Sequence, residues 1–392
     1  MEIDINTSDI VLALNRVSGI VEKTGATSHI KCESSDENLV VTATDQQSLT
    51  LVASYPAIIH EPGAIVIKAA RFIQIARSSV GSILHVREQS NQKVHLECGK
   101  AKFEIHECKP VNEFPPIPEK ELTELAAISN ADLKRMIDET NFSISPEKSG
   151  HANLAGAALD LIEGEDDIRL RIVTTDTNRL SCSEAKFNID KDKIALFKKL
   201  WQNDQNHLKK IIPKKAIMQL RRLCDVAEAE WTLLVDSEER EIVFQNGQMS
   251  LSILLSDSKF PPYNIILDRI EKSSGSRQVA TLSKSDIGDV LRRAKIFCSQ
   301  NKYAVNLKFD FDSIVVDIFN SDIGTFEESI KAQFEGAPSS IDFNFNFLQD
   351  IIQSVEADKF RINFGHKTDP CLIDVVERND CKFIVMPMRA NR

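Results

Sequence analysis

The side chains with the most obvious chemical potential are carboxylates. Glu163 to Asp167 spell EGEDD, and Asp176 and Arg179 stand three apart in TTDTNRL. A catalytic carboxylate needs a base, nucleophile or metal beside it. No GxSxG, Walker, HExxH or Rossmann spacing occurs to supply one. The eight histidines are scattered, and Cys32, Cys98, Cys108, Cys182, Cys224, Cys298, Cys371 and Cys381 include no CxxC pair. That pattern predicts reduced thiols in a cytoplasmic protein, with no metal or other cofactor. EGEDD reads as a solvated hairpin turn, and Asp176 with Arg179 as a turn or ion pair. No enzymatic activity is expected.

Two other chemistries remain. The first is ionic. Basic residues recur on amphipathic, helix-like segments: Arg71 and Arg77 around Phe72; Lys134 and Arg135 beside Leu133 and Met136; Lys214, Lys215, Arg221 and Arg222 in KKAIMQLRRLC; and Arg292, Arg293 and Lys295 in LRRAKIF. Each could be a solvated helix face. As a set, in a chain of net charge −10, they read as one surface that meets phosphates without reading bases. The scarcity of aromatics among them favours double-stranded over single-stranded nucleic acid. The second chemistry is apolar. KFIVMPMR, Lys382 to Arg389, reads as a strand that reaches a surface with Met386 and Met388 still to be covered. Methionine suits a site that accepts several apolar partners, because its thioether repacks readily.

These segments need a scaffold, and the chain of 392 residues is too long for one core. With 42% hydrophobic and 27% charged residues and no long apolar run, it reads as soluble and globular, with no membrane association. The opening MEIDINTSDIVLAL lacks the basic start of a signal peptide. One pattern recurs: short strand, small polar cap, amphipathic helix, alternating strands. INTSDIVLALNRV (cap Thr7 or Ser8), ISNADLKRMIDET (cap Asn130) and LSKSDIGDVLRRAKIF (cap Ser283 or Ser285) open three long units. Each holds a weaker second copy, at AIVIKAARFIQIARSSV, KKIIPKKAIMQLRRLC and IDFNFNFLQDIIQSV. The expected fold is α+β: six β-α-β-β-β half-units paired into three similar domains. Their expected bounds are 1–122, 123–270 and 271–392, with linkers at Glu113 to Leu122 and Asp268 to Arg277. An inserted segment at about 190–207 carries Leu196, Phe197, Leu200 and Trp201 on one helical face.

The residues resemble the bacterial DNA polymerase III beta subunit, or beta sliding clamp, family over the whole chain. VMPMR (Val385 to Arg389) matches that family's ending, and TTDTNRL (Thr174 to Leu180) resembles its ATDGHRL. TATDQQSLT from Thr42 is similar to the first-domain equivalent, KFPPYNIIL from Lys259 to the FPDY segment, and FNFNFLQDII from Phe343 to FNVSYLLD. The resemblance implies a non-catalytic processivity factor. Two subunits would close head-to-tail into a ring of DNA-clamp domains around duplex DNA, held without sequence preference. It implies a pocket for short Gln- and Leu/Phe-bearing peptides of the polymerase III catalytic subunit, the clamp loader, other polymerases and repair proteins. Carried over by motif, the pocket takes Leu154, Thr175, Arg179, Leu180, Pro261, Ile265, Ile266, Asn344, Phe347, Val385, Met386, Pro387, Met388 and Arg389. The homodimer seam takes Arg71, Phe72 and Phe103 on one side, and Ile296 and Phe297 on the other. Thr177 and Asn178 replace the family's usual Gly-His, and His29 stands where an apolar residue is usual. A repeat scaffold for protein–protein interaction, unrelated to DNA, is the alternative; it would share the repeats but not the basic helices.

Overall fold

The structure is a computed structural model describing residues 1–89, 93–146, 149–164, 167–201, 208, 210–225, 230–273, 277–299 and 303–388. The half-unit pattern is met six times. The first runs β1 (Glu2–Asn6), α1 (Thr7–Val17), β2 (His29–Ser35), β3 (Asn38–Thr44) and β4 (Leu49–Glu61). The second is β5 (Ala64–Lys68), α2 (Ala69–Ser78), β6 (Ile83–Gln89), β7 (Lys93–Cys98) and β8 (Ala101–Ile105), trailed by β9 (Cys108–Lys109). The third is β10 (Leu122–Ser129), α3 (Asn130–Asp138), β11 (Gly156–Glu163), β12 (Ile168–Thr175) and β13 (Arg179–Lys186), then β14 (Asn188–Ile189) and α4 (Ile194–Trp201). The fourth is β15 (Lys210–Pro213), α5 (Lys214–Leu223), β16 (Glu230–Asp236), β17 (Glu241–Asn246) and β18 (Met249–Leu254), then β19 (Ser256–Asp257) and α6 (Tyr263–Lys272). The fifth is β20 (Gln278–Ser283), α7 (Lys284–Ala294), β21 (Ala304–Asp310), β22 (Ser313–Asn320) and β23 (Gly324–Glu335). The sixth is β24 (Ser339–Asn344), α8 (Phe345–Ser354), β25 (Lys359–Phe364), β26 (Cys371–Val375) and β27 (Cys381–Val385).

Two compact units result. One comprises Met1–Ala131, Asn188–Phe197 and Lys215–Ser256; the other comprises Asp132–Phe187, Lys198–Lys214 and Asp257–Arg392. Each has a large sheet, running β14-β10-β16-β17-β18-β4-β1-β6-β7-β8 in the first, with β2, β3, β5 and β9 attached. In the second it runs β19-β15-β11-β12-β13-β27-β26-β25-β20-β23-β22-β21-β24. Half-units are joined by ladders between their last strands. β18 pairs antiparallel with β4 from Met249↔Ala53 to Ile253↔Leu49, and β13 with β27 from Arg179↔Val385 to Ser183↔Cys381.

The helices bury the stripe their spacing predicts. Ile287, Val290, Leu291 and Ala294 of α7 all face a core that also takes Leu348, Ile351 and Ile352 of α8. The cap assignments fare unevenly. Ser283 does cap α7, its hydroxyl accepting from the Asp286 amide. Thr7 and Ser8 lie inside α1 instead; Asn6 precedes the helix and its amide donates to Asp9. Asn130 is the first residue of α3, and its side chain bridges Trp231 Nε1 and the Cys224 carbonyl.

The linker expected from Asp268 to Arg277 is half helix. Its first residues finish α6, where Leu267 and Ile270 are buried. Gly, Ser and charge marked a boundary there, but the apolar spacing inside KFPPYNIIL decides the structure. In α4, Phe197, Leu200 and Trp201 are fully buried and Leu196 is half-buried; residues 202–207 lie outside the described ones. All eight cysteines are free, and burial pushes Cys32 and Cys371 up to about 12.

The two TD motifs build one turn twice. The Thr44 hydroxyl donates to the Leu49 carbonyl, and Asp45 Oδ1 accepts from the amides of Gln47, Ser48 and Leu49. In the second, shorter by one residue, the Thr175 hydroxyl donates to the Arg179 carbonyl, and Asp176 Oδ1 accepts from Asn178 and Arg179. Gln46 and Thr177 take the matching left-handed position, at φ 59° and 79°. A β-branched residue is strained there, at a cost of about 1–3 kcal/mol. Thr177→Gly should therefore raise stability by about 1 kcal/mol in urea unfolding, after the entropy glycine returns to the unfolded chain. An unchanged or lower midpoint would show that Thr177 sits there without strain.

His29 is 8% exposed on β2, with Nδ1 3.2 Å from the Ser28 hydroxyl. Burial first, then Lys109 and Lys68, hold its pKa below the ordinary value. The unfolded chain therefore takes up this proton more readily than the folded one. Stability from this group is full above about pH 6.5 and is lost as pH falls below it. His29→Leu should lose less stability than the parent between about pH 7 and 5 in chemical denaturation; parallel losses would remove His29 from the acid response.

Candidate functional site

The second unit brings most of the predicted apolar site together. Strand β27 lies between β13 and β26 and alternates between two cores. Cys381, Phe383 and Val385 enter the α7/α8 core, while Ile384 enters a second cluster with Leu180, Leu372, Phe260, Tyr263, Leu267 and Ile270. Helix α6 thus covers the outer face of the β13–β27 ladder, and Lys382 of β27 pairs with Glu271 of α6. Its buried positions leave Ile265 and Ile266 turned out, 64% and 42% exposed. After Val385 the chain remains held: the Met386 amide donates to the Asn178 carbonyl at 2.8 Å, and the Met388 amide to the Asp342 carbonyl at 2.7 Å. The Met386 side chain is 37% exposed. Pro387 and Met388 are half-buried, as is Pro261; Arg389 lies outside the described residues.

Arg179 ties β13 to the start of α8. Its Nε donates to Asp176 Oδ2 at 2.9 Å, Nη1 to Asp350 Oδ2 at 2.6 Å, and Nη2 to the Phe142 carbonyl at 2.5 Å. The guanidinium also lies 4.4 Å from the ring centre of Phe347 and 5.3 Å from that of Phe142. The planar fork is filled on its edge by acceptors and on its faces by aromatics, which a lysine could not reproduce. Asn344 starts α8 by accepting from the Asn346 amide, so it positions Phe347 and Asp350 one turn on. Thr175 is buried as the turn's lock, and Leu154 is buried in the short Ala152–Leu154 turn, its carbonyl accepting from Ser145. Phe142, Asp350 and Asp342 were not predicted. The ion pair read from TTDTNRL supplies only one of Arg179's partners, and no local pattern marks the others.

The basic residues are less free than their helices suggested. Arg71 donates to Glu107, Arg77 to Asn15, Lys215 to Asp45, and Arg221 to Asp225. Arg292 pairs with Asp289, and Arg293 forks onto Glu328. The partners come partly from the same helix, as Asp289 for Arg292, and partly from distant elements, as Glu107, Asp45 and Glu328. Arg135 departs furthest. It reaches Asp132, Glu139 and Asp380 and the Glu184 carbonyl, and Arg378 binds the same Glu139, which is 1% exposed. That guanidinium is part of the unit's interior wiring. Lys134 and Lys214 are half-buried. Arg222 and Lys295 are exposed and have no ion pair among the described residues.

Of the residues assigned to a seam, Phe72 is 1% exposed in the core beneath α2 and cannot meet another chain. Arg71 is exposed. Phe103 is half-buried on β8, the last strand of its sheet. Ile296 is 71% exposed, and Phe297 beside it packs against the core with its ring 5.8 Å from that of Phe326. Among the described residues no helix is long and apolar enough to cross a membrane.

Family models describe the chain from end to end. They are those of the DNA polymerase III beta subunit N-terminal domain over residues 1–118, its central domain over 127–262 and its C-terminal domain over 274–389. The beta sliding clamp of Pseudomonas aeruginosa is 22% identical over 392 residues, covering 99% of this chain and 100% of the relative. That of Caulobacter vibrioides is 23% identical over 394 residues, with 99% and 100% covered. Among solved structures, the DnaN sliding clamp from Bartonella birtlesii bound to griselimycin superposes with a TM-score of 0.87 at 22% identity, each chain covered in full. The DNA polymerase sliding clamp from Pseudomonas aeruginosa with ligand gives 0.84 at 23%, again over both full lengths. Three domains of mixed helix and sheet, matched in order over nearly every residue, place this chain in the DNA polymerase III beta subunit family.

Proposed function

We propose that this protein is a DNA sliding clamp, a non-catalytic ring of two identical subunits that encircles duplex DNA and tethers replication proteins to it. The observation that carries the reading is the pattern of last strands. The first half-unit's β4 pairs with the fourth's β18, and the third's β13 with the sixth's β27. The second's β8 ends its sheet, and Gly324 to Lys331 of the fifth's β23 pair only with β22 among the described residues. The same rule, applied once more, pairs β8 of one subunit with β23 of another. Such a contact is heterologous and closes after two subunits. Phe103 on β8 and Ile296 beside β23 would be buried in it. The domain bounds of 1–122, 123–270 and 271–392 are part of the proposal; β10 begins at Leu122, and α6 runs to Lys272, two residues past the second bound.

The helix cations are the proposed lining. Arg222 and Lys295 would meet phosphate directly. Arg71, Arg77, Arg221, Arg292 and Arg293 would do so by exchanging their exposed partners, and Lys134, Lys214 and Lys215 complete the proposed set. Exposed ion pairs are worth only about 0–1 kcal/mol, so that exchange is cheap and the hold stays loose. The exposed apolar residues Ile265, Ile266 and Met386 are the proposed dock for short apolar peptides. The griselimycin-bound relative is compatible with a ligand site on this fold.

Light scattering should give a mass near twice 44.0 kDa for the protein and the single mass for Ile296→Asp. Once loaded, the parent should persist on nicked circular DNA and run off linear DNA. Arg222→Glu with Lys295→Glu should shorten its stay on circles several-fold while leaving the dimer intact. Equal loss from circles and linear DNA would defeat the ring. The dock is tested separately. Met386→Asp or Ile265→Asp should weaken binding of a Gln- and Leu/Phe-bearing polymerase peptide at least tenfold, read by fluorescence anisotropy, with the dimer mass unchanged. Unchanged affinity would place the peptide elsewhere.

A further inference from the structure

We infer that Asp4, His60 and His85 form a surface site for a divalent transition ion of the zinc class, with Glu2 as its outer partner. Strand β1 lies between β4 and β6, and Asp4 is opposite Ile58 on one side and His85 on the other. The register then slips. Ile3 faces Ile59 but Glu2 faces Glu61, so His60 is the extra residue of a bulge. A bulge re-aims the side chain it inserts. Here it sets His60 Nε2 3.0 Å from Asp4 Oδ2, while His85 Nδ1 is 2.6 Å from Asp4 Oδ1. Three ligand atoms of two imidazoles and one carboxylate lie within 4.8 Å of one another.

Tetrahedral zinc with bonds of about 2.0–2.1 Å spaces its ligands by about 3.3 Å, so each histidine–Asp4 contact must open by less than an ångström and the remaining distances, none above 4.8 Å, adjust to match. The remaining nitrogen of His85, Nε2, is 3.2 Å from Glu2 Oε1. This is the carboxylate–histidine arrangement that holds a liganding imidazole in the tautomer whose inner nitrogen is free. On binding, the His85 proton moves from Nδ1 to Nε2 and is accepted by Glu2; that of His60 moves to Nδ1. No proton is lost overall from neutral rings. The side chains are 26% (Asp4), 45% (His60) and 31% (His85) exposed, leaving the fourth position open to water. Arg87 Nε, 3.4 Å from Glu2 Oε2, touches the outer carboxylate rather than a ligand.

The full-length protein, thiols kept reduced, would be titrated with zinc chloride by calorimetry and with cobalt by visible absorption. One ion per chain is expected. His60→Ala, His85→Ala and Asp4→Asn should each weaken it at least tenfold, with circular dichroism and dimer mass unchanged. His95→Ala with His106→Ala, a second histidine pair sharing Glu104, controls for loose surface binding and should leave it intact. Absence of binding overturns the assignment. So does binding that survives loss of His60 and His85, or that follows His95 and His106 or the cysteines.

Discussion

A strand at the edge of a sheet exposes a row of unpaired amides and carbonyls, and those groups must find partners or water. In this protein the last strand of each half-unit is such an edge, and the fold is arranged around pairing it with the last strand of another. The β4–β18 and β13–β27 ladders fuse sheets of different half-units, with five facing residue pairs each. At about 1 kcal/mol net per backbone hydrogen bond, a ladder contributes only a few kcal/mol. Its larger effect is geometric. It places β27 in mid-sheet, covered on both faces, so that only the residues after Val385 emerge. It also leaves β8 and the first part of β23 with a free side. The proposed apolar dock and the proposed subunit seam are then two outcomes of one constraint, satisfied in one case and left open in the other.

Charge is handled on two scales. Around Glu139, buried at 1% exposure, Arg135 and Arg378 converge with Asp380. Removing one partner would leave another buried and unpaired, a loss of about 3–5 kcal/mol. These guanidiniums are therefore committed to the fold. Arg292 and Asp289 are 74% and 52% exposed, and water screens their attraction almost completely. A phosphate can displace such an acid at little cost. Burial, more than sequence position, separates cations that hold the protein from cations free to hold something else. For a ring that slides, weak and exchangeable contacts are the useful kind.

The half-units were legible because periodicity is a local property. The α7 stripe of Ile287, Val290, Leu291 and Ala294 is buried as its spacing predicts, and each amphipathic segment became a helix on a sheet. Partners across the fold were not legible. Glu107 is 36 residues from Arg71, Glu328 is 35 from Arg293, and Asp45 is 170 from Lys215. Helix faces that read as unopposed cations were neutralised by acids from strands and turns. Phe72 was misplaced for a related reason. It sits among arginines in sequence, yet its own helical phase, shared with Ala69, Ile73 and Ala76, points inward. Arg179 shows both limits: Asp176 was visible three residues away, whereas Asp350 is 171 residues distant and Phe142, 37 away, meets it through a backbone carbonyl and a ring face.

The duplicated TD turn shows how one scaffold acquires two uses. Both copies lock a threonine and an aspartate by bonds back to the turn, but the first is one residue longer, and the residue ahead of the leucine is Ser48 in one and Arg179 in the other. At the first turn Asp45 Oδ2 accepts from Ser48 and from Lys215 of α5, which finishes its hydrogen bonding within the unit. At the second, Asp176 orients a guanidinium that reaches across to α8 and stacks on two rings. The serine copy ties a turn to a helix. The arginine copy joins β13 to α8 and supports a chain end, Met386 to Met388, held by backbone bonds to Asn178 and Asp342 with its side chains left partly uncovered. Rigidity under an adaptable apolar surface is what a site for many peptides requires: the backbone stays fixed, and the thioether and isoleucine side chains repack from one ligand to the next.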